Sequence, residues 1–164
     1  MSDLQTAFDK LIEEQRELQA KFQTTAQALF KETTKKFFEG NPGVTAVIWT
    51  QYTPYFNDGD TCEFSVNDPN FTNANEEQLD EFTRWGEYEG EDESVWSESS
   101  WGFEYAKKNN PNASFEGVDM KSIEKFSKMI QSTEMEDVMK AMFGDHVKVT
   151  ATREGFNVDD CDHD

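Results

Sequence analysis

Residues 3 to 39 contain neither glycine nor proline. Nothing in that stretch stops a helix, and Gly40-Asn41-Pro42 supplies the stop that follows it. Leu4, Phe8, Leu11, Gln15, Leu18, Phe22, Thr25 and Leu29 step alternately by four and by three. This is a heptad seam with two polar breaks, Gln15 and Thr25. Ser2 or Asp3 can cap the first turn. A helix of about 36 residues spans roughly 54 Å at 1.5 Å per residue. One small core cannot cover that length, so two readings stand. The helix is an ordinary core-facing element covered by later helices, or it is an oligomerisation arm that meets its partner through Leu4, Phe8, Leu11, Leu18, Phe22 and Leu29. Its charges nearly balance, and Glu17 and Lys21 stand at i,i+4 in the favourable order.

Beyond the helix the pattern changes period. Val44 to Tyr52 is β-branched and aromatic, and Cys62, Phe64 and Val66 alternate with Glu63 and Ser65. Asn57-Asp58-Gly59-Asp60 between them has turn chemistry, so residues 44–56 and 61–67 read as a hairpin. Pro54 cannot donate to a ladder and ends the first strand or places it at an edge. Asn75 is positioned to cap a short helix over 76–85, on which Leu79, Phe82 and Trp85 recur every three residues. Residues 87–96 read as an acidic loop, and Trp101, Phe103 and Tyr105 alternate as in a third strand. Residues 118–143 read as two helices. The first carries Ile123, Phe126, Met129 and Ile130 inward. The second is capped by Thr133 with Glu136 three residues on, carries Val138, Met139, Met142 and Phe143, and stops at Gly144. Residues 146–152 alternate as a last strand, and 159–164 read as a frayed tail. The expected fold is α+β: a long N-terminal helix (1–40) and C-terminal helices packed on a small, mainly antiparallel sheet of 3–5 strands. The folded domain is 41–158, with an acidic insert at 70–100.

The charge is uneven. The chain carries 34 Asp and Glu against 15 Lys and Arg, a net charge of −19. Residues 37–106 hold sixteen of the acids and one base, Arg84, so −15 of the total lies there. Packing like charge so densely costs stability through mutual repulsion. Direct nucleic-acid binding is excluded on this ground, because phosphates need a positive footprint. With 14 Phe, 4 Tyr and 4 Trp the chain is too aromatic for a disordered polyanion. It has no apolar run long enough to cross a membrane, and Met1-Ser2-Asp3 opens without a basic and apolar leader. The expectation is a cytoplasmic protein that does not act at a membrane.

Candidate chemistry is sparse. Asp58-Gly59-Asp60 with Glu63 offers oxygen ligands but not the register of a twelve-residue calcium loop. Asp159, Asp160, Cys161, Asp162, His163 and Asp164 are ligand types crowded on a terminus, unlike the spaced ligands of a closed zinc site. Cys62 reads as a small core residue. His146 has no identifiable catalytic partner, no carboxylate pair stands out, and no nucleophile elbow or phosphate loop is present. No catalytic residue, metal or cofactor is assigned. What remains is complementarity. The carboxylates of Asp58, Asp60, Glu63, Glu76, Glu77, Asp80, Glu81, Glu87, Glu89, Glu91, Asp92, Glu93 and Glu98 can face a basic protein surface as a phosphate backbone would. Trp85, Tyr88 and Trp96 are the candidate aromatic anchors inside that rim.

The run Val47-Ile48-Trp49-Thr50-Gln51-Tyr52-Thr53-Pro54-Tyr55-Phe56-Asn57-Asp58-Gly59-Asp60-Thr61-Cys62-Glu63-Phe64-Ser65-Val66 resembles a stretch of small, uncharacterised acidic bacteriophage proteins. The resemblance implies a setting, the cytoplasm of a host cell, in which small acidic proteins often blunt host defence or take over host enzymes. The functional expectation is an acidic inhibitor or regulator that binds a basic surface, including that of a nucleic-acid-binding protein. The alternatives are an assembly protein that forms homo-oligomers through the N-terminal helix and a hydrolase with a carboxylate site.

Overall fold

The computed structural model describes residues 2–54 and 62–161. The chain divides into two units, Met1–Thr33 and Thr34–Asp164. Helix α1, Ser2–Gly40, runs through the boundary between them. The first unit is helix alone, and along it Gln5 donates to Asp9, Gln27 to Gln23, and Arg16 pairs with Glu13 at 3.9 Å.

The seam and the buried face of α1 are different faces. Leu4, Phe8, Leu11, Leu18, Phe22 and Leu29 are between 57% and 71% exposed. The buried positions come later, at Phe30, Thr34, Phe37 and Phe38. These recur at i, i+4, i+7 and i+8, an ordinary helical stripe. Asn41 ends the helix: its side-chain amide donates to Phe37 O at 2.9 Å, and its side-chain oxygen accepts from Asp119 N at 2.6 Å. Arg153 reaches Phe38 O and Asn41 O at 3.2 Å each, so the end of α1 has partners at the carbonyls of Phe37, Phe38 and Asn41.

The second unit is an α+β domain, with helices on a mainly antiparallel sheet. Its strands are β1 Ala46–Tyr52, β2 Ser65–Val66, β3 Asn70–Thr72, β4 Ser97–Glu98, β5 Val147–Thr152 and β6 Gly155–Asp160. Six strands exceed the expected 3–5 because β2 and β4 are only two residues each. The order is β4-β3-β1-β5-β6, with β2 also on β1, and every pairing is antiparallel. Strand β1 is central and buried on both faces from Ala46 to Gln51, as its nearly continuous apolar run requires. The expected hairpin is present as Gln51↔Val66 and Tyr52↔Ser65, and its Asn57–Asp60 turn lies outside the described residues.

One sheet face carries Val47, Trp49, Gln51, Phe71, Val149 and Ala151. Helices α2 (Phe103–Asn109), α3 (Met120–Gln131) and α4 (Glu136–Phe143) supply aromatic rings to it. Phe126 of α3 lies 4.8 Å from Phe37 and 6.4 Å from Trp49, Phe143 of α4 lies 5.8 Å from Trp49, and Phe103 of α2 lies 6.3 Å from Phe71. Gln51 is the polar exception on this face. Its Nε2 donates to Met139 O and Gly144 O at 2.8 Å, and its Oε1 accepts from Trp49 Nε1 at 3.0 Å. A buried amide is tolerated there because all its partners are present.

Several expectations are corrected. Residues 76–85 form only a 3₁₀ turn at Gln78–Glu81. Trp101 to Tyr105 is not a strand, because α2 begins at Phe103 and buries Phe103 and Ala106. Strands β3 and β4 lie where an insert was expected. Thr133 does not cap a helix, since Thr133–Met135 is itself a 3₁₀ turn and α4 starts at Glu136 without a side-chain cap. Asp119 caps α3, accepting from Lys121 N. The tail is not frayed at its start. Asp159 and Asp160 pair with Lys148 and Val147 in β6, and Cys161 is buried with its N donating to His146 O at 2.8 Å.

Candidate interaction surface

The other sheet face carries Ile48, Thr50, Asn70, Thr72, Ser97, Lys148 and Thr150, by alternation with the helix-packed face. The acidic insert covers part of it. Lys148 Nζ donates to Thr83 O at 3.2 Å, Asn70 Nδ2 to Trp85 O at 3.1 Å, and Ser97 Oγ to Gly86 O at 2.7 Å. Three polar side chains of the sheet thus grip the insert's backbone at the carbonyls of Thr83, Trp85 and Gly86. The contact is close: a β-carbon on Gly86 would stand 2.8 Å from Asn70 Nδ2 and 3.3 Å from Ile48 Cγ2.

The insert itself is built from side-chain hydrogen bonds. Asn75 and Gln78 exchange bonds, Gln78 N to Asn75 Oδ1 at 2.8 Å and Asn75 N to Gln78 Oε1 at 2.9 Å. This is a capping box on a 3₁₀ turn. Residues 82–88 then form a tight hairpin, with Phe82 bridging Tyr88 and Thr83 N donating to Glu87 O at 2.8 Å. Thr83 Oγ1 accepts from Trp85 N and Glu87 N, and Gly86 takes φ +89° to close the turn. Asp92 Oδ1 accepts from Ser94 Oγ at 2.6 Å and Ser94 N at 2.9 Å, while Oδ2 accepts from Gln78 Nε2 at 2.7 Å. Asn73 reaches Ser94 O and Trp96 N.

Two titrations follow from that geometry. The Ser94 hydroxyl and then the Ser94 amide hold the Asp92 carboxyl below its usual range; lost solvent opposes them, and Gln78 adds a last, smaller lowering. The Tyr88 phenol is pushed up, first by lost solvent and then by the Glu81 and Asp92 carboxylates, with a backbone hydrogen bond at Asp92 pulling the other way.

Most of the predicted acidic residues face solvent. Glu63, Glu76, Glu77, Asp80, Glu81, Glu87, Glu89, Glu91, Asp92 and Glu93 are exposed. Asp58 and Asp60 lie outside the described residues. Three of the exposed acids have structural work. Asp92 ties 78 to 94, Glu81 accepts from the Tyr88 hydroxyl at 3.3 Å, and Glu93 accepts from Asn112 at 2.7 Å. Arg16–Glu13, Lys140–Asp145 and His146–Asp145 are ion pairs that lie away from the insert. Glu98 leaves the set. It pairs with Phe71, so it points to the opposite sheet face from the insert, and burial pushes its carboxyl up.

The aromatic anchors change as well. Trp96 is a core residue, stacked 5.0 Å from Phe115 with Nε1 donating to Ser114 O. Tyr88 is half-buried against Phe82 at 5.3 Å. Trp85 remains 46% exposed, its ring 6.4 Å from Tyr52 in a T-shaped pair. Among the described residues the aromatic side chains most open to solvent are Trp101 at 79% and Tyr105 at 74%. They stand at i,i+4 around the start of α2, a spacing that reading 101–105 as a strand conceals.

Asp145 is the carboxylate beside His146, its Oδ1 3.6 Å from the ring Nε2. Asp145 accepts from Thr53 N at 2.8 Å, Thr53 Oγ1 at 2.7 Å and His146 N at 2.9 Å. Burial raises its carboxyl, but the Thr53 bonds, the His146 ring and the His146 amide outweigh it and hold the group below its usual range. The arrangement clamps the end of β1 to the α4–β5 connection. A hollow of about 260 Å³ between Thr45, Ala74–Glu76, Leu79, Thr152–Glu154 and Asn157 has no histidine or cysteine in its lining. Among the described residues no group of three or more His, Cys, Asp or Glu is placed to hold a metal ion. None of their helices is long and apolar enough to cross a membrane.

No protein-family model matches the sequence, and neither a curated protein nor a solved structure matches it.

Proposed function

We propose that this chain is a binding protein of inhibitory or regulatory type, and that its insert presents carboxylates to a basic surface of a partner protein. The partner surface is of the kind that otherwise holds the phosphates of a nucleic acid. One observation carries the reading: the insert's backbone is gripped by Lys148, Asn70 and Ser97 while its carboxylates from Glu76 to Glu93 face solvent. A solubility coat needs charge but not a hydrogen-bonded scaffold beneath it. Charges held in place lose less freedom on binding, which favours affinity. Steering by a local charge of −15 over residues 37–106 favours rapid encounter with a cationic partner. Trp85, 46% exposed within the insert itself, supplies apolar contact area beside the charge.

The test is capture of partners from a cell lysate at low salt, with wild type and a neutralised variant as bait. The variant carries Glu76→Gln, Glu77→Gln, Asp80→Asn, Glu87→Gln, Glu89→Gln and Glu91→Gln. The reading expects a basic protein held by wild type, lost from the variant, and displaced by duplex DNA. An identical set of proteins on both baits, or a partner indifferent to DNA, refutes it.

A further inference from the structure

The exposed apolar face of α1 has no role in the proposed binding surface, and its residue order specifies what covers it. We infer that two copies of this chain pair through residues 4–29 of α1 as an antiparallel two-stranded coiled coil in one defined register. On the heptad, Phe8, Gln15, Phe22 and Leu29 occupy the a positions, and Leu4, Leu11, Leu18 and Thr25 the d positions. The flanking e positions, Gln5, Ile12, Gln19 and Ala26, are uncharged. Charge appears only at g, as Glu14 and Lys21 between Ala7 and Ala28.

In a parallel pair each layer meets itself. Phe8 would face Phe8 and Phe22 would face Phe22, overfilling two layers, while Thr25 on Thr25 underfills another and Gln15 meets Gln15. A parallel pair also sets g against e, which places Glu14 opposite Gln19 and Lys21 opposite Ala26, with no ion pair gained. Reversing one helix changes both results. Layers now join a to d, and the register that uses the whole seam pairs Leu4 with Leu29, Phe8 with Thr25, Leu11 with Phe22, and Gln15 with Leu18. Each phenylalanine meets a smaller side chain, which is how facing core positions fill space. Position g then faces g, so Glu14 of each copy lies opposite Lys21 of the other, twice per dimer. Sliding by one heptad in either direction sets Glu14 against Glu14 or Lys21 against Lys21. Attraction in one register and repulsion in its neighbours is how a coiled coil fixes alignment.

The face is free to do this. Each large apolar residue of the seam is more than half exposed, and the buried stripe of α1, which starts at Phe30, lies on the other side of the helix. The paired segment runs about 38 Å from residue 4 to 29.

Sedimentation equilibrium of the full chain at low salt tests the inference. The expected result is a reversible dimer. Glu14→Lys or Lys21→Glu alone converts both ion pairs to repulsive ones and weakens the dimer about tenfold. The two changes together restore the dimer to within about twofold of wild type. Both sites are exposed on α1, and helical circular dichroism checks that each variant remains folded. Three results overturn the proposal: a monomer at about 100 μM, far above the Kd of a specific dimer; a larger oligomer; or a dimer indifferent to the single reversals, as a parallel pair would be.

Discussion

Replacing Gly86 by alanine detaches the acidic insert from the sheet if the insert is held as described. Two costs add. Gly86 has φ +89°, where an L-residue with a β-carbon pays about 1–2 kcal/mol. The new β-carbon would also stand 2.8 Å from Asn70 Nδ2, so that side chain must move and lose its bond to Trp85 O, worth about 0.5–1.5 kcal/mol. The sum is about 1.5–3.5 kcal/mol, paid locally because the hairpin 82–88 can open without unfolding β1. Amide hydrogen exchange reads this directly. The Thr83 and Glu89 amides, which donate to Glu87 O and Glu81 O, should exchange at least about 10-fold faster at 1.36 kcal/mol per decade. Amides of β1 and β5 should change far less. Gly40→Ala is the control of opposite sign, since a β-carbon there meets nothing within 4 Å and alanine favours the helix by up to about 1 kcal/mol. Unchanged exchange at residues 83 and 89 in Gly86→Ala would refute the claim that contact with the sheet holds the insert.

Other consequences follow from the core. Gln51→Leu leaves Trp49 Nε1 and the Met139 and Gly144 carbonyls without their partner, at about 1–3 kcal/mol for each group left unsatisfied. Thermal unfolding should fall by at least about 6 °C, and a shift under about 2 °C contradicts the assignment. Asp145→Ala removes the clamp on Thr53 and should cost about 2 kcal/mol. The folded Asp145 carboxyl lies below its unfolded value, so its contribution is full above the unfolded pKa and is lost as pH falls through the folded one. Denaturant titrations of wild type and variant should therefore differ most above the ordinary carboxylate range and draw together as pH falls below it; a gap that does not shrink in acid speaks against the clamp. By the same sign argument the Ser94 and Gln78 bonds to Asp92 should weaken in acid, read as faster exchange of the Ser94 amide.

Legibility in the sequence tracked pattern length. Strands β1 and β5 and helices α3 and α4 carry repeats long enough to declare their period, and the structure has them close to their expected bounds. Strand β3 has three residues and one inward ring, Phe71, which is too little to show alternation. Leu79, Phe82 and Trp85 step by three, a spacing that a 3₁₀ turn shares with a helix, and the hairpin at 82–88 depends on the Thr83 hydroxyl and the positive φ of Gly86. Trp101, Phe103 and Tyr105 alternate, but Phe103 and Ala106 are the pair that α2 buries, so the helical period prevailed over the period of two. In β6 the acids at 159 and 160 conceal a strand that is fixed by its neighbour, β5. Of the candidate surface, the sequence located the charge but not its support. Lys148, Asn70 and Ser97 converge on the insert from three strands, a juxtaposition that only the fold creates.

The most direct test of the binding account is a competition between this chain and duplex DNA for a basic partner captured on the wild-type insert, followed against salt. The account predicts that the chain displaces the DNA, that log K falls steeply and linearly with log salt, and that the six-site neutralised variant shows both weaker displacement and a shallower slope. Equal displacement by wild type and neutralised variant, with equal slopes, would contradict it.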